Sequence, residues 1–585
     1  MDVIILAAGL GSRVSKYTNN LIPKFLINID HNTGLYYLIK YWNKYSDNIH
    51  LVINSKYNDI TNFYLKNVIP DISQNVKIIN YDTNDGTAYT INYLLVNKII
   101  EIKNKNLLLT WCDIFPDKKI NFKYLYENQL NTNLNSNSSS KTIKKGNKSI
   151  TKKTITLPKK SKTKNNVTVF VHGSSCRYIL NDTNEIINCG TGGNIVGIYY
   201  FENFEIFDLE QYGKTVLNED IVVFLKDISP HINSYLLENI IDYGDEEKFE
   251  NITINKNNNI FKCRYFNNIK IVDENKLFKC GIDEKGKELI NIEMNWYKYI
   301  LNNQDNINQD NQNNFINYIP KIYEMHDYGF LMEYKKNYVP LYIYLKNLND
   351  ENNLQIKTNI LESILDKINK LHSITTIKED KNLFFSNLKM EIYDKIINRK
   401  KVIQDLLNYF GNIEYVNGVK IDSLENILLK CKNIITQYYN TLDNYDYSVI
   451  MGDCQFSNIL INADYNVNSN PDNIIFIDPR GYFGASKIFG SKDYDYAKIL
   501  YAIYGYDDFN NNSNFVVSFD GENNSINIPI KNIEFDKNIL SKHFSKLHKA
   551  YIITIWLSLA EYNKNHIWKC LASYYYGLYL GSTIL

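Results

Sequence analysis

Paired cysteine motifs are missing from this chain of 585 residues. Its eight cysteines form no CxxC or C-x-x-H pair, and their spacing is irregular. Neither a metal cage nor a disulfide framework is indicated by such a pattern. We therefore expect a cytoplasmic protein in a reducing environment.

Long apolar runs are also missing. The chain starts with an acidic Asp2 before a short apolar stretch, whereas a secretory signal needs a basic start and a longer apolar region. The most apolar late segment, residues 551–585, is interrupted by charges such as Glu561 and Lys564, and a membrane span needs roughly 20 apolar residues. We expect no targeting segment and no membrane span, and we predict buried helices at 551–585.

An excess of positive charge is missing outside one segment. Residues 141–164 contain ten lysines and no acidic residue, so leaving them out changes the net charge from +1 to −9. A protein needs a basic face to bind the phosphate backbone of a nucleic acid. The acidic remainder of the chain therefore argues against a protein that binds nucleic acid.

The N-terminal part alternates short apolar strands with amphipathic helical stretches. Strands are predicted at 3–7, 49–54, 76–80, 107–110, 167–172 and 195–201. This alternation is typical of βαβ units on a parallel sheet, and it predicts one α/β domain over residues 1–250.

Residues 131–166 interrupt this first domain. They are rich in Asn, Ser, Thr and Lys and contain almost no large apolar side chain. Such a segment cannot bury enough surface to offset the entropy lost on ordering, so we predict a disordered insertion. It is either a solvated loop expansion or a basic tether for an anionic surface.

A second domain is predicted over residues 255–585. Strands are predicted at 269–272, 277–280 and 329–334, with a helix at 288–301. Beyond Asn353 the pattern is mostly helical, except for a strand at 474–477. The expected layout is a small mixed sheet followed by a larger helical lobe.

The first chemical motif, Leu-Ala-Ala-Gly-Leu-Gly-Ser-Arg, occupies residues 6–13 directly after the first strand, and Pro23 and Lys24 follow it. Small residues let backbone N–H groups approach a triphosphate closely. Arg13 and Lys24 offer positive charge to a departing pyrophosphate. Taken alone, the glycines are also compatible with tight turns.

Three further features accompany this loop. The Gly-Thr-Ala sequence at residues 86–88 can present backbone groups to a base. Asp113 comes directly after a strand, where strand ends gather ligands in open α/β sheets, and a second carboxylate, Asp242, lies in Ile-Asp-Tyr-Gly-Asp at 241–245. Taken singly, Asp113 could cap a helix and Asp242 could belong to a turn.

Together these motifs resemble the sugar-phosphate and choline-phosphate nucleotidyltransferase family, whose signature is L-A-A-G-x-G-x-R followed by P-K, over most of residues 1–250. The resemblance implies a Rossmann-like fold with a mixed, mostly parallel sheet, in which Asp113 and Asp242 hold Mg²⁺ and Arg13 and Lys24 are catalytic. The nucleotide-binding residues that it implies are Leu6, Ala7, Ala8, Gly9, Gly11, Gly86, Thr87 and Ala88. The positions that resemble the family's acceptor site, and that are equally compatible with ordinary loops, are Gly193, Asn194, Glu219 and Asp220.

The second chemical motif is Met-Gly-Asp-Cys-Gln-Phe-Ser-Asn at 451–458, followed by a strand that ends in Ile-Asp-Pro-Arg-Gly. Asp453, Asn458 and Asp478 can meet around Mg-ATP, the first orienting an acceptor hydroxyl and the other two binding magnesium. The pattern resembles the aminoglycoside phosphotransferase and choline kinase family, H-G-D-x-x-x-x-N and then D, over roughly residues 255–585. Met451 replaces the family's supporting His, so a degenerate fold that only binds or scaffolds stays open.

This second resemblance implies a bilobal, protein-kinase-like α+β domain. Lys279 on a strand and Glu293 on the next helix would form the ion pair that places the ATP phosphates. Glu288 is the rival partner for Lys279. Asp495 lies where the family has an acid that supports the catalytic loop.

The two resemblances imply consecutive steps in a bifunctional enzyme. The second domain would phosphorylate a small alcohol or sugar with ATP. The first would then join that phosphate to a nucleotide from CTP, UTP or dTTP, giving an activated donor for surface polysaccharide synthesis. The alternatives are a nucleotidyltransferase with an inactive, regulatory kinase-like lobe, and a nucleotide-binding scaffold without either activity.

Overall fold

The computed structural model of the chain contains two compact units, Met1–Asn255 and Lys256–Leu585. The residues it describes are 1–29, 31–82, 86–118, 120, 167–172, 179–180, 186–187, 193–202, 204, 221–228, 233–257, 267–303, 315–348, 353–463 and 473–585. The insertion predicted at 131–166 lies outside the described residues.

The first unit is an α/β structure. Its strands are β1 (Asp2–Ala7), β2 (Ile49–Ile53), β3 (Val76–Asn80), β4 (Leu107–Trp111), β5 (Ile114–Pro116), β6 (Val167–Val171), β7 (Ile179–Leu180), β8 (Ile186–Ile187), β9 (Gly193–Phe201), β10 (Asn233–Leu236) and β11 (Ile240–Asp242). Its helices are α1 (Ser15–Thr18), α2 (Gly34–Trp42), α3 (Asn58–Phe63), α4 (Thr87–Val96), α5 (Ile221–Ile228) and α6 (Glu246–Asn257).

The main sheet has the strand order β10-β6-β9-β4-β1-β2-β3. The pairs β1–β2, β1–β4, β2–β3 and β6–β10 are parallel, and only β9 runs antiparallel to its neighbours β4 and β6 along this path. Strands β1 and β2 are buried along nearly their whole length, which is why they are continuous apolar runs and not alternating ones. The predicted mixed, largely parallel sheet is confirmed.

The second unit combines short strands with longer helices. Its strands are β12 (Asn267–Asp273), β13 (Lys276–Gly281), β14 (Ile322–His326), β15 (Gly329–Glu333), β16 (Tyr338–Pro340), β17 (Thr376–Lys378), β18 (Tyr415–Val416), β19 (Val419–Lys420), β20 (Asp446–Val449), β21 (Ile459–Asn462), β22 (Ile474–Phe476), β23 (Phe489–Gly490), β24 (Ser518–Asp520) and β25 (Ser525–Asn527). Its helices are α7 (Glu284–Asn302), α8 (Leu341–Asn347), α9 (Leu354–Ser373), α10 (Lys381–Lys389), α11 (Lys395–Phe410), α12 (Leu424–Asn440), α13 (Lys492–Ile503), α14 (Tyr506–Asn511), α15 (Lys537–His543), α16 (Lys546–Tyr562) and α17 (Ile567–Thr583).

The first sheet of this unit has the order β12-β13-β15-β14, and all its pairings are antiparallel. The mixed sheet predicted from the sequence is therefore wrong here. The physical reason is that β12–β13 and β14–β15 are hairpins with two-residue connections, and so short a connection joins only antiparallel strands.

The part beyond Asn353 contains more strands than the single one predicted at 474–477. Strands β17 to β21 and β23 to β25 are only two to four residues long, too short for a period-two pattern to show in the sequence. The apolar segment 551–585 lies in α16 and α17, which are buried along most of their length. Among the described helices, none has both the length and the apolar character that crossing a membrane requires.

Candidate functional sites

The glycine loop and Asp113 lie at the same edge of the main sheet. Strands β1 and β4 are parallel neighbours with Leu6 opposite Trp111, and the Cys112 N–H donates to the Leu6 carbonyl at 3.2 Å. Strands β1 and β4 both end at this point, and the polypeptide leaves the sheet there. The carboxyl ends of the two strands therefore place residues 7–13 beside Asp113.

Gly11 is the conformational constraint of the loop. Its φ of +71° lies in the left-handed region, and a Cβ there would lie 3.3 Å from the Lys24 Cβ. The following 3-10 turn, Ser12–Val14, buries Val14 and leaves Arg13 exposed. A Cβ built on Gly9 would have no atom within 4 Å, so the loop surface is open there.

Lys24 forms an ion pair with Asp113. The two side chains are 14% and 6% exposed, so the pair is largely out of water. Burial alone lowers the pKa of Lys24, but Cys112 and Asp113 raise it overall above its usual value, with Arg13 acting against them. Lys24 therefore stays charged, and Arg13 is close enough to act on the same charge.

Asp242 ends β11, which pairs antiparallel with β5 so that Asp242 lies opposite Ile114. One Asp242 oxygen accepts from the Gly244 N–H at 2.9 Å, and the other is 2.7 Å from the Lys248 ammonium group. This pairing carries Asp242 to the segment that directly follows Asp113.

The two carboxylates face one small space beside Gly244. A Cβ built on Gly244 would lie 2.8 Å from an Asp113 oxygen and 3.1 Å from an Asp242 oxygen. Magnesium accepts hard oxygen ligands and is commonly held by one or two carboxylates together with substrate phosphates. The donor set at this point fits Mg²⁺. Within the described ranges no group of three or more His, Cys, Asp and Glu side chains forms a metal cage.

The remaining predicted residues of the first unit are less closely grouped. Gly86 precedes α4, and the Thr87 hydroxyl accepts from the Ile221 N–H at 2.8 Å. Ala88 is 4% exposed and packs in the core, so it has only its backbone to offer a ligand. Gly193 and Asn194 begin β9, whereas Glu219 and Asp220 lie outside the described residues.

The second unit brings Lys279, Glu293 and Asp478 together. The Lys279 ammonium group lies 2.9 and 2.8 Å from the two Glu293 oxygens and 2.6 Å from Asp478. Burial alone lowers the pKa of Lys279, but Asp478 and Glu293 raise it overall above its usual value. Glu288, the rival partner, is exposed on the same helix.

Asp453 and Asn458 also meet. The Asn458 amide donates to the Asp453 carbonyl at 3.0 Å and reaches an Asp453 carboxylate oxygen at 3.4 Å. The Ile477 N–H donates to the Asn458 carbonyl at 2.9 Å, which places Asp478 beside Asn458. Asp478 has a φ of +56°, an uncommon conformation for a residue other than glycine that points to a positional requirement.

The loop that carries Asp453 is held through its backbone. The fully buried Asp495 accepts from the Met451 N–H at 2.9 Å and from the Gly452 N–H at 2.6 Å, and it also contacts His372 at 3.0 Å. The Met451 carbonyl accepts from the Arg480 N–H at 2.8 Å. These bonds do not depend on which side chain stands at 451.

Sequence reasoning assigned no role to three contributors to these sites. Gly244 and Lys248 flank Asp242, and Lys498 lies 3.0 Å from Asp453. A usable signal existed for Lys248, because it stands six residues after Asp242 at the start of a helix. For Lys498 the sequence offered only its place three residues after Asp495.

No family model matches the chain, and no curated protein matches it. Solved structures that resemble it include sugar-phosphate and choline-phosphate nucleotidyltransferases, matched over its N-terminal part. HddC from Yersinia pseudotuberculosis complexed with GMP-PN is 18% identical, with a TM-score of 0.31, over 44% of this chain and 99% of that one. The inositol-1-phosphate CTP transferase from T. maritima is 14% identical, with a TM-score of 0.30, over 45% and 98%. The CTP:phosphocholine cytidylyltransferase from Streptococcus pneumoniae is 15% identical, with a TM-score of 0.30, over 44% and 98%.

Proposed function

We propose that the first unit is a nucleotidyltransferase that joins a nucleotide from CTP, UTP or dTTP to a small phosphorylated alcohol or sugar. The observation that carries the proposal is the shared space between Asp113 and Asp242 beside the glycine loop. An acidic pair at the carboxyl edge of a parallel sheet, next to backbone N–H groups and two cations, suits a triphosphate with its metal.

In the proposed reaction a phosphate oxygen of the acceptor attacks the α-phosphorus of the triphosphate, and the bond to pyrophosphate breaks. Asp113 and Asp242 would hold Mg²⁺, which supplies positive charge at the α-phosphate. The residues of 6–11 cradle the phosphates through their backbone, and Lys24 with Arg13 stabilises the charge that develops on the leaving pyrophosphate.

The test is pyrophosphate release from each of the four NTPs with a panel of phosphorylated alcohols and sugars. We expect one combination to dominate and Asp113→Ala to abolish its turnover in a protein that still folds, with a lowered melting temperature because Lys24 loses its buried partner. Near wild-type turnover in Asp113→Ala would contradict the assignment.

We propose in addition that the second unit is a kinase-like phosphotransferase for a small alcohol or sugar. The contact of Lys279 with both Glu293 and Asp478 supports this, because such a lysine positions ATP phosphates beside a metal-binding acid. Asp453 would accept the proton of the acceptor hydroxyl as the oxygen of that hydroxyl attacks the γ-phosphorus of ATP. Asn458 and Asp478 would hold Mg²⁺. The bonds from Asp495 keep the loop in place although Met451 replaces a histidine.

The two proposed activities would act in sequence, the product of the second unit being the acceptor of the first, in a pathway to polysaccharide precursors. Asp453→Asn should stop phosphate transfer from ATP while nucleotidyl transfer to a pre-phosphorylated acceptor continues. ATP binding without transfer would favour an inactive regulatory lobe. If the wild-type protein binds nucleotides but shows neither activity, the result would favour a scaffold.

A further inference from the structure

Four cations, carried by α11, α13 and the loop after β22, gather near Asp453. Lys395 lies 3.3 Å from Glu391, and Arg480 lies 3.0 Å from both oxygens of the same carboxylate. Lys498 contacts Asp453 at 3.0 Å. The fourth cation, Arg399, acts on Lys395 through its charge and lies 3.4 Å from Glu561. We call Lys395, Arg399, Arg480 and Lys498 the cation cluster.

The cation cluster has more positive charge than its described ion-pair partners balance. Its four cations meet three carboxylates in the described part of the chain, namely Glu391, Asp453 and Glu561. Lys395 and Arg480 share a single one of these. Three of the cations are mostly withdrawn from water, with Lys498 and Arg480 11% exposed and Lys395 24% exposed, so solvent screens the excess charge poorly.

The position of this excess charge is set by the proposed catalytic loop. The Arg480 backbone N–H binds the Met451 carbonyl, and a Cβ on Gly452 would lie 3.0 Å from the Arg480 Cβ. The cluster is therefore directly beside residues 451–453. Lys279, by contrast, reaches Asp478 from the antiparallel sheet and marks the proposed ATP phosphates. The cluster thus contacts Asp453 through Lys498, whereas Lys279 contacts Asp478.

The titration of Lys395 agrees with this charge count. Burial lowers its pKa most, and repulsion by Arg480, Arg399 and Lys498 outweighs the attraction of Glu391, which brings the pKa to about 8. The part of this shift that comes from the three neighbouring cations reflects a positive potential at Lys395. An anion bound there would relieve the repulsion.

We infer that the cation cluster beside Asp453 is a binding subsite for an anionic group, so that the alcohol phosphorylated by the second unit is itself an anion such as a hydroxy acid, a sugar acid or an already phosphorylated alcohol. This inference rests on the proposed kinase function. The acceptor hydroxyl oxygen forms the new bond to the γ-phosphorus, the bond to ADP breaks, and Asp453 takes the hydroxyl proton. The carboxylate or phosphate of the acceptor does not react and is bound by Lys395 and its neighbours through charge-assisted hydrogen bonds. A quaternary ammonium acceptor such as choline would be repelled.

The test compares acceptors that differ in charge and little else, using the full-length chain with Mg-ATP. The matched pairs are glycerate against glycerol and glucuronate against glucose, with glycerol 3-phosphate as a phosphate arm and choline as a cationic arm. We expect kcat/KM to be about 10- to 100-fold higher for the anion of at least one pair, the effect of one to two charged hydrogen bonds. Equal or better turnover of the neutral member or of choline overturns the inference and leaves the kinase function standing. No turnover of any acceptor overturns both.

A pair of lysine variants locates the subsite. Lys395→Met should raise the KM for the preferred anionic acceptor about 10-fold or more and leave the KM for ATP unchanged. Lys389→Met is the matched control, since Lys389 is 66% exposed and only loosely paired with Asp394 at 3.6 Å, and its KM values should equal those of the wild type. Lys395→Arg should recover most of the lost affinity. A rise in the KM for ATP alone would assign the cluster to ATP phosphates and overturn the inference. If Lys395→Met does not fold, the comparison of matched acceptors decides alone.

Discussion

The Tyr243 hydroxyl donates a hydrogen bond of 2.5 Å to the carbonyl oxygen of Cys112. The Tyr243 backbone N–H donates to the Asp113 carbonyl at 3.1 Å, so one fully buried residue contacts two successive peptide groups. Its ring also lies directly over Gly34, where a Cβ would overlap it. Tyr243 thereby ties the segment that carries Asp242 to the segment that carries Asp113.

Tyr243→Phe tests this tie. The change removes the donor and leaves the buried Cys112 carbonyl without this bond, which should cost about 1–3 kcal/mol of unfolding free energy. The proposed nucleotidyl transfer should slow because the spacing of the two carboxylates is no longer fixed. Denaturant unfolding and pyrophosphate release measure the two effects. Tyr93→Phe, at a residue that is 39% exposed, should change neither. Unaltered stability in Tyr243→Phe would contradict the role of the hydroxyl.

Gly244→Ala tests the space between the carboxylates. The added methyl group would lie 2.8 Å from Asp113 and 3.1 Å from Asp242, where a bound metal would be crowded out. We expect nucleotidyl transfer to fall by at least about 100-fold, or nearly 3 kcal/mol in transition-state stabilisation. Transfer assays over a range of Mg²⁺ concentrations check this. Gly521→Ala adds the same methyl group in the second unit, where the nearest contact would be 3.3 Å, and should leave transfer intact.

Asp495→Asn tests the support of the 451–453 loop. The amide group can accept one of the two backbone N–H bonds and presents an N–H group where the carboxylate offered an oxygen, so the loop should loosen. Phosphate transfer from ATP should drop about 10-fold or more, while nucleotidyl transfer stays unchanged. Asp366→Asn, a substitution on a side chain that is 62% exposed, is the control. Full phosphotransferase activity in Asp495→Asn would show that the loop holds its shape without the carboxylate.

His50 predicts a pH dependence in the first unit. It is 1% exposed on β2, and burial lowers its pKa to about 4 against the opposing effect of Asp2. The folded state binds this proton less readily than the unfolded state. The contribution of neutral His50 to the free energy of unfolding is therefore fully present above the ordinary pKa of about 6.5 and is lost as the pH falls towards 4. The loss between pH 7 and pH 5 should be about 2 kcal/mol.

Hydrogen exchange of the β2 amides, followed by mass spectrometry and corrected for intrinsic rates, measures this loss. His50→Gln has no group that titrates here and keeps a partner for the Asn48 amide, which lies 3.0 Å from the ring nitrogen. Its β2 protection should decline less over the same pH interval. An equal decline in both proteins would assign the acid sensitivity to other groups.

Much of the first unit follows from local sequence pattern. The apolar runs near residues 3–7 and 107–110 predict strands, and parallel strands place their carboxyl ends at one edge, which brings Asp113 to the glycine loop. The position of Asp242 does not follow in this way. It depends on a three-residue pairing of β11 with β5, and the two strands are more than 120 residues apart in sequence, so no local periodicity records the contact.

The choice between Glu288 and Glu293 illustrates the same division in the second unit. Glu293 lies on the face of α7 that buries Ile290, Met294 and Tyr297. If that face is taken to pack against the sheet, the helical period favours Glu293 over Glu288 as the partner of a lysine on the sheet. Which lysine it meets depends on the register of β13 against β15, in which Lys279 is opposite Phe330.

Hydrophobic periodicity acts over a few residues and is therefore visible in the sequence. The sequence by itself therefore determined most of the longer strands and helices and the kinds of charged residue available. Only the tertiary structure decided which of those charges meet, as Lys498 meets Asp453 and Lys248 meets Asp242, because an ion pair depends on where distant elements are placed in space.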